Sequence, residues 1–262
     1  MTLLESHARE GAFARINPVA KLGASALIAL PLILTLDVVS AAVALVLECL
    51  LFPFAGIGWR EFWMRTLPVW IAAPLTGITI ALYGETSGTV YVEWFIVRIS
   101  EGSLTLALAT FLRVLAIALP SVVLFVTVDP TDLADGLAQI LRLPARFVLG
   151  ALAGLRMIGL FLDDWRALEL ARRARGVADR GRLRRFLGMA FALLVLSIRR
   201  GSKLATAMEA RGFGAPGRRT WARESHFGIR EWLLMLTGLA IAAVAIAAAV
   251  LAGAWNFILG PS

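Results

Sequence analysis

Five stretches of the chain run for most of a bilayer's thickness with almost no charge, and nothing else in the sequence narrows the fold as much: 18–36, 38–55, 67–83, 104–128 and 232–255. A transmembrane helix needs about 20 mostly apolar residues, somewhat fewer when its ends snorkel, and hydrocarbon forces its backbone amides to be satisfied internally. With 59% of its 262 residues hydrophobic, the chain has too little polar surface for an ordinary water-soluble domain. The expected fold class is an all-α polytopic membrane protein with about five transmembrane helices. A single cysteine, Cys49, allows no internal disulfide framework, and two histidines, His7 and His226, argue against a metal site built by this chain alone. No small-residue cleavage site follows an apolar core near the amino terminus, so no cleaved signal peptide is expected.

Charge decides where two shorter apolar runs, 147–162 and 186–198, belong. Residues 129–230 hold 19 Lys+Arg against 9 Asp+Glu, whereas the rest of the chain holds 7 against 9. Were the two runs a membrane hairpin, the stretch 163–185 with its eight arginines would lie on one side, and Arg142, Arg146, Arg199, Arg200 and Lys203 on the other. Both faces would be basic, which the positive-inside rule disfavours. The block is therefore expected to stay whole on the cytosolic side. Parity agrees, because with Arg9, Arg15 and Lys21 inside, four spans return the chain to the cytosol at Asp129. The expected organisation is a membrane domain at 1–128 with four transmembrane helices, a cytosolic domain at 129–230 and a final transmembrane helix in 231–262. Such a chain is a multi-pass protein of the plasma or inner membrane with a cytosolic amino terminus.

Inside the basic block, Asp129 reads as an N-cap followed by Pro130 at the first helical position, with Asp132 reaching back. Pro144 opens a helix that can run to Arg175, about 46 Å, and another can run from about Arg182 to Arg211, about 45 Å. Both end on one pattern, L-x-x-A-x-x-A-R-G. Leu168, Ala171, Ala174, Arg175 and Gly176 repeat as Leu204, Ala207, Ala210, Arg211 and Gly212. Arginine at the negative end of a helix dipole, then a glycine able to turn left-handed, makes a good helix stop, and two ordinary helix ends are one reading. The other starts from the stripe of small residues, which lets a second surface approach each helix end closely. An arginine projecting from such a tip can enter a carboxylate-lined pocket and bond it bidentately, as lysine cannot. Two such plugs imply two acidic sockets, most economically on a pair of related partner subunits.

With "RINPVAKL" (15–22), "EGSLTLALATFLRVL" (101–115) and "VTVDPTDLADGL" (126–137), these motifs give the chain its likeness to a known family. It resembles the transmembrane T component of energy-coupling factor transporters, the scaffold of a class of vitamin and transition-metal-ion importers, from about Arg15 to Gly214. The resemblance implies a non-catalytic subunit with two long coupling helices that cross in an X. Ala174-Arg175-Gly176 and Ala210-Arg211-Gly212 would each dock into one of two cytosolic ABC ATPase subunits. Leu168, Ala171, Leu204 and Ala207 would form the docking stripes. An apolar surface upstream would receive a small substrate-binding membrane subunit, the S component. ATP and Mg would be bound by the partner ATPases and no cofactor by this chain, in keeping with the absence of G-x-x-x-x-G-K-[ST]. Gly150, Gly154 and Gly188 would permit close helix approach. Gly159 departs from the family's usual proline in the first coupling helix, and Met157 from its aromatic neighbour.

Three further features carry expectations. Glu48 and Arg113 lie at similar depths within their spans, and an unpaired charge there is expensive, so they are expected to form an intramembrane pair. Asp129, Asp132 and Asp135 offer the alternative of a membrane-embedded, Mg-dependent prenyltransferase-like enzyme, although capping already accounts for the first two. The basic block lacks the aromatic interleaving of a nucleic-acid surface, so no nucleic acid is expected as a partner; the bilayer is.

Overall fold

Residues 15–84, 87–94, 97–176, 181–214 and 220–255 are described by a computed structural model, in which the apolar runs are helices with chemically recognisable ends. α1 (Pro18–Ile33) starts from Asn17, whose side chain accepts the Val19 amide, with proline in the first turn. α2 (Val38–Leu51) starts from Asp37, which accepts from the Ser40 amide, and runs into a 3₁₀ turn at Phe52–Ala55. α3 (Trp59–Tyr83) begins well before the expected Leu67. Trp59, Phe62, Trp63 and Trp70 form a chain of ring contacts along its first turns, and Glu61 pairs with Arg65 at 2.7 Å, so the charges that obscure this helix in the sequence are absorbed on its surface. The fold class is all-α as expected, and a short antiparallel ribbon, β1 (Val90–Trp94) with β2 (Val97–Ser100), is a local addition to it. It leads into α4 (Glu101–Val126), which opens with a reciprocal Ser100–Ser103 capping box. α5 (Pro130–Gln139), α6 (Ala145–Ala174), α7 (Arg182–Ala210) and α8 (Ile229–Leu251) complete the order.

The chain divides into two compact units, with the cut inside α5 after Gly136. One unit holds α1 to α4, the start of α5 and α8. Within it α1 packs on α8 and α4, α2 on α4 and α8, and α3 on α4. Its core gathers Ile28, Leu32, Ala44, Ala116, Ile241 and Ala245, with a second cluster of Ala73, Leu115 and Leu119. Alanine is the commonest buried residue between these helices, because lipid offers no solvent-exclusion gain and close backbone approach supplies the packing instead. Gly238 shows the tolerance: a Cβ there would stand 2.9 Å from the Ala24 carbonyl oxygen across the α1–α8 seam. The other unit, Leu137–Glu224, contains α6 and α7.

Among the described residues, α3, α4, α6 and α8 are long and apolar enough to cross a membrane, while α1 and α2 are apolar but shorter. The expected first span is cut short because the chain turns through Leu34 to Asp37, and the second because it tightens at Pro53. In α6 the first half is mostly apolar, and the second half carries Asp163, Asp164, Arg166, Glu169, Arg172 and Arg173.

Candidate functional site: paired helix tips

Both copies of the repeated motif end their helices as their residue types dictate. α6 stops at Ala174, Arg175 caps it, and Gly176 sits at φ +68°; α7 stops at Ala210, Arg211 caps it, and Gly212 sits at φ +74°. Left-handed backbone is strained for any side chain with a Cβ, which is why glycine follows each arginine. At the second tip the Gly212 amide donates to Glu209 O (2.9 Å) and the Phe213 amide to Met208 O (2.9 Å). This is the Schellman pairing that satisfies carbonyls otherwise orphaned at a helix end. At the first tip the Gly176 amide donates to Arg173 O at 3.0 Å.

The contacts between α6 and α7 run antiparallel along their whole length. Arg146, at the start of α6, donates to the Gly214 carbonyl just past the end of α7. Next, Leu204 shares a 320 Å³ cavity with Leu149, Leu152 and Met157 of α6. Asp164 accepts from Arg200 at 2.6 Å, Trp165 meets Phe186 with ring centroids 5.6 Å apart, and Glu169 accepts from Arg185 at 2.6 Å. Near the other end, the Arg172 guanidinium lies over Gly188, where a Cβ would stand 3.2 Å from Nη2. Gly188 thus makes room for a side chain rather than for a helix backbone. These partly exposed ion pairs are worth about 0–1 kcal/mol each and serve mainly to hold register.

An antiparallel pair puts its two carboxyl-terminal tips at opposite ends. The 29 residues of α7 set their separation at about 43 Å. Arg175 and Arg211 are exposed, and among the described residues neither guanidinium has a hydrogen-bond or ion-pair partner. The carboxylates near the first tip are already engaged, Glu169 by both Arg173 (2.8 Å) and Arg185. Ala171, Ala174, Ala207 and Ala210 are exposed beside the arginines, Leu168 is half-buried, and Leu204 lines the cavity against α6. The two stripes therefore differ: in the first the leucine is more buried than the alanines and arginine, whereas in the second Leu204 is exposed like its neighbours and only borders the cavity.

The apolar first half of α6 is also uncovered. Phe147, Leu155 and Ile158 are exposed, and no atom lies within 4 Å of a Cβ placed at Gly150, Gly154 or Gly159 among the described residues. Across the pair, Phe191, Leu194 and Ile198 of α7 are exposed as well. α6 passes unbroken through Met157 and Gly159.

Two expectations are corrected. Glu48 and Arg113 do not pair: both Glu48 carboxyl oxygens, and Nε and Nη2 of Arg113, are buried without a hydrogen-bond partner among the described residues. Similar depth along two helices does not fix the direction in which their side chains point. Glu48 faces a cavity, and the carboxylate that acts electrostatically on Arg113 is that of Asp37. The three aspartates of the alternative reading are not gathered into one cluster either. Asp129 accepts from the Thr131 amide (2.7 Å), Asp132 acts on Lys21, and no group of three metal-ligating side chains occurs among the described residues.

Asn17 and Lys21 hold positions that sequence reasoning did not assign. Asn17 donates through Nδ2 to Ser225 Oγ (2.8 Å) and the His226 carbonyl (3.0 Å), and through its backbone amide to Glu231 (3.1 Å). Lys21 is 1% exposed and its ammonium donates to Thr127 Oγ1 (2.7 Å) and Thr127 O (3.2 Å) at the end of α4. Gly136 lets α5 press against this knot, since a Cβ there would lie 2.7 Å from Val19 and 3.0 Å from Asn17 Oδ1. The signal was available: both partners of the Lys21 contact lie in stretches that carry the family likeness, 15–22 and 126–137.

Comparison with known proteins meets this geometry. Residues 12–222 match the family CbiQ, described as cobalt transport protein. The energy-coupling factor transporter transmembrane protein EcfT of Bacillus selenitireducens is 28% identical over 247 residues, covering 89% of this chain and 91% of that protein. EcfT of Streptococcus equi is 28% identical over 235 residues, covering 85% and 87%. For EcfT of Limosilactobacillus fermentum the identity is 29% over 177 residues, covering 63% and 66%. A matched region that takes in both Ala-Arg-Gly tips, the antiparallel pair that carries them and the membrane helices before them shows that the chain belongs to the CbiQ/EcfT family, the membrane-embedded T components of energy-coupling factor transporters.

Proposed function

We propose that this chain is the non-catalytic scaffold of an ATP-driven importer and that its two tips grip two ATPase subunits on the cytosolic side of the membrane. The observation that carries this reading is the pair of exposed, unengaged arginines about 43 Å apart at opposite ends of one antiparallel helix pair. A tip of this kind presents a planar, always-charged donor on a rigid stem, with alanines on either side that let a groove wall come close. Inserted between carboxylates, Arg175 and Arg211 would make charge-assisted, bidentate bonds, and because each ends a separate helix, each would report one subunit's movement. ATP and Mg belong to those partners.

The uncovered apolar face of α6 and α7 is the proposed seat of a small membrane subunit that captures the substrate, a vitamin or a transition-metal ion. Exposed Phe147, Leu155, Ile158 and Phe191 supply the area, and Gly150 and Gly154 supply the close approach that helix packing in lipid requires. Nucleotide-driven motion at the tips would reach that subunit through the same two helices.

Arg175→Glu together with Arg211→Glu tests the reading by co-purification. Loss of both ATPase subunits, with insertion of the scaffold into membranes unchanged, is the expected result. Undiminished co-purification of both subunits refutes it. Single cysteines at positions 175 and 211, probed with a membrane-impermeant thiol reagent in whole cells, should stay unlabelled, and labelling at either position rules out cytosolic tips.

A further inference from the structure

The membrane unit holds a cavity of about 560 Å³ between α1, α2, α4 and α8, within the range of small-ligand sites, about 300–1,000 Å³. Most of its lining is apolar, with Ile28, Val123, Leu234 and Ile241 among the lining residues. Three charged side chains also line it: Arg15, Arg230 and Glu48.

Topology places those three at one end. The starts of α1 and α8 are tied together by the bonds from Asn17 to Ser225, His226 and Glu231, so Arg15, just before α1, and Arg230, in the first turn of α8, are neighbours. α2 returns antiparallel to α1 after the short turn at 34–37, which brings Glu48, in the last turn of α2, to the same end. From Arg230 the cavity follows one face of α8 through Leu234 and Gly238 to Ile241, about 16 Å. It is therefore charged at one mouth and apolar along its depth.

Glu48 is the informative residue. It is 2% exposed, it points into this cavity, and neither of its carboxyl oxygens has a hydrogen-bond partner among the described residues. A buried carboxyl in apolar surroundings is costly unless a donor meets it. Arg230 has Glu231 beside it, but the Glu231 carboxylate is held by the amides of Asn17 and Gly228. The two guanidinium groups at the mouth are thus suited to a phosphodiester, and the carboxyl near them to a protic group about four or five bonds beyond the phosphorus.

We propose that this cavity binds one membrane phospholipid whose headgroup carries a hydrogen-bond donor, with its phosphate on Arg15 and Arg230, its ammonium or hydroxyl on Glu48, and an acyl chain along the apolar wall of α8. Arginines at the polar ends of membrane helices lie where headgroup phosphates lie, and a bilayer supplies the amphiphile at high local concentration.

The test uses the full chain, delipidated in detergent, with native mass spectrometry and lipid titration. Palmitoyl-oleoyl phosphatidylethanolamine and phosphatidylglycerol should each bind as a single copy about tenfold more tightly than phosphatidylcholine, whose quaternary ammonium cannot donate a hydrogen bond. Glu48→Ala should erase that preference while retaining binding. Arg15→Gln with Arg230→Gln should weaken all three lipids by about tenfold or more. Thr237→Trp, on the lining of the cavity, should exclude them all and gives a second route if the arginine variant does not fold. Equal binding of the three lipids to the unaltered chain, or unchanged binding after Thr237→Trp, overturns the proposal. Displacement of lipid by millimolar inorganic phosphate would instead mark a site for soluble phosphate, and it too overturns the lipid assignment.

Discussion

Replacing Arg211 with alanine tests the gripping mechanism at its simplest point. The side chain is exposed, caps a helix already closed by Gly212 and Phe213, and has no partner among the described residues, so its removal costs the isolated chain almost nothing. In a complex, truncating one member of a desolvated charge pair costs about 2–5 kcal/mol, which is about 30-fold to several thousand-fold in affinity. The tips stand about 43 Å apart, far beyond the roughly 10 Å within which substitutions couple, so Arg175→Ala and Arg211→Ala should add in free energy. The assay is equilibrium binding of the ATPase pair to the scaffold in nanodiscs. Arg→Lys should fall between wild type and alanine, because it keeps the charge and loses the fork. A single alanine variant that binds as tightly as wild type, or a lysine variant indistinguishable from it, refutes the insertion of a guanidinium between carboxylates.

Three other outcomes follow from the same structure. Gly212→Val places a β-branched residue at φ +74° and should lower tip-dependent ATPase binding without altering the amount of scaffold in the membrane, measured by quantitative immunoblot; backbone of this kind costs about 1–2 kcal/mol per residue. Gly154→Trp adds bulk where nothing lies within 4 Å, so the chain should fold normally, retain its ATPases and lose the substrate-binding subunit on pull-down; retention of that subunit removes the proposed seat from α6. Lys21→Met leaves the Thr127 acceptors unmet inside the membrane unit and should destabilise it by about 1.5–3 kcal/mol, read as a lower SDS-denaturation midpoint, whereas an unchanged midpoint shows that the contact is dispensable.

The features legible in the sequence were those set by local chemistry. Both long helices of the basic block begin and end within a residue or two of the positions that Pro144, Gly176 and Gly212 dictate, because glycine and proline act through their own backbone angles. The start of α3 was hidden, since Arg60, Glu61 and Arg65 break the apolar run and only three-dimensional ring contacts among Trp59, Phe62 and Trp63 offset them. The ribbon β1–β2 is too short for alternation to stand out from its surroundings. Glu48 failed for a geometric reason: distance along a helix is readable from residue count, but the facing direction depends on which neighbour each helix packs against, and here Glu48 turned to the α1–α8 side while Arg113 did not. Lys21 was legible only as a charge within an apolar run, and its acceptor lies 106 positions away.

The opposed placement of the two tips has a mechanical corollary. If two motor subunits holding them draw together, one pushes α6 along its own axis and the other pushes α7 along its axis in the reverse sense. Neither rod is bent by such a load; the two slide past one another. The fasteners between them are flexible arginines reaching to Asp164 and Glu169, which tolerate displacement better than an interlocked aliphatic seam would. Closure of such a motor would thereby be converted into shear, and whatever rested across both rods would be carried in two directions at once.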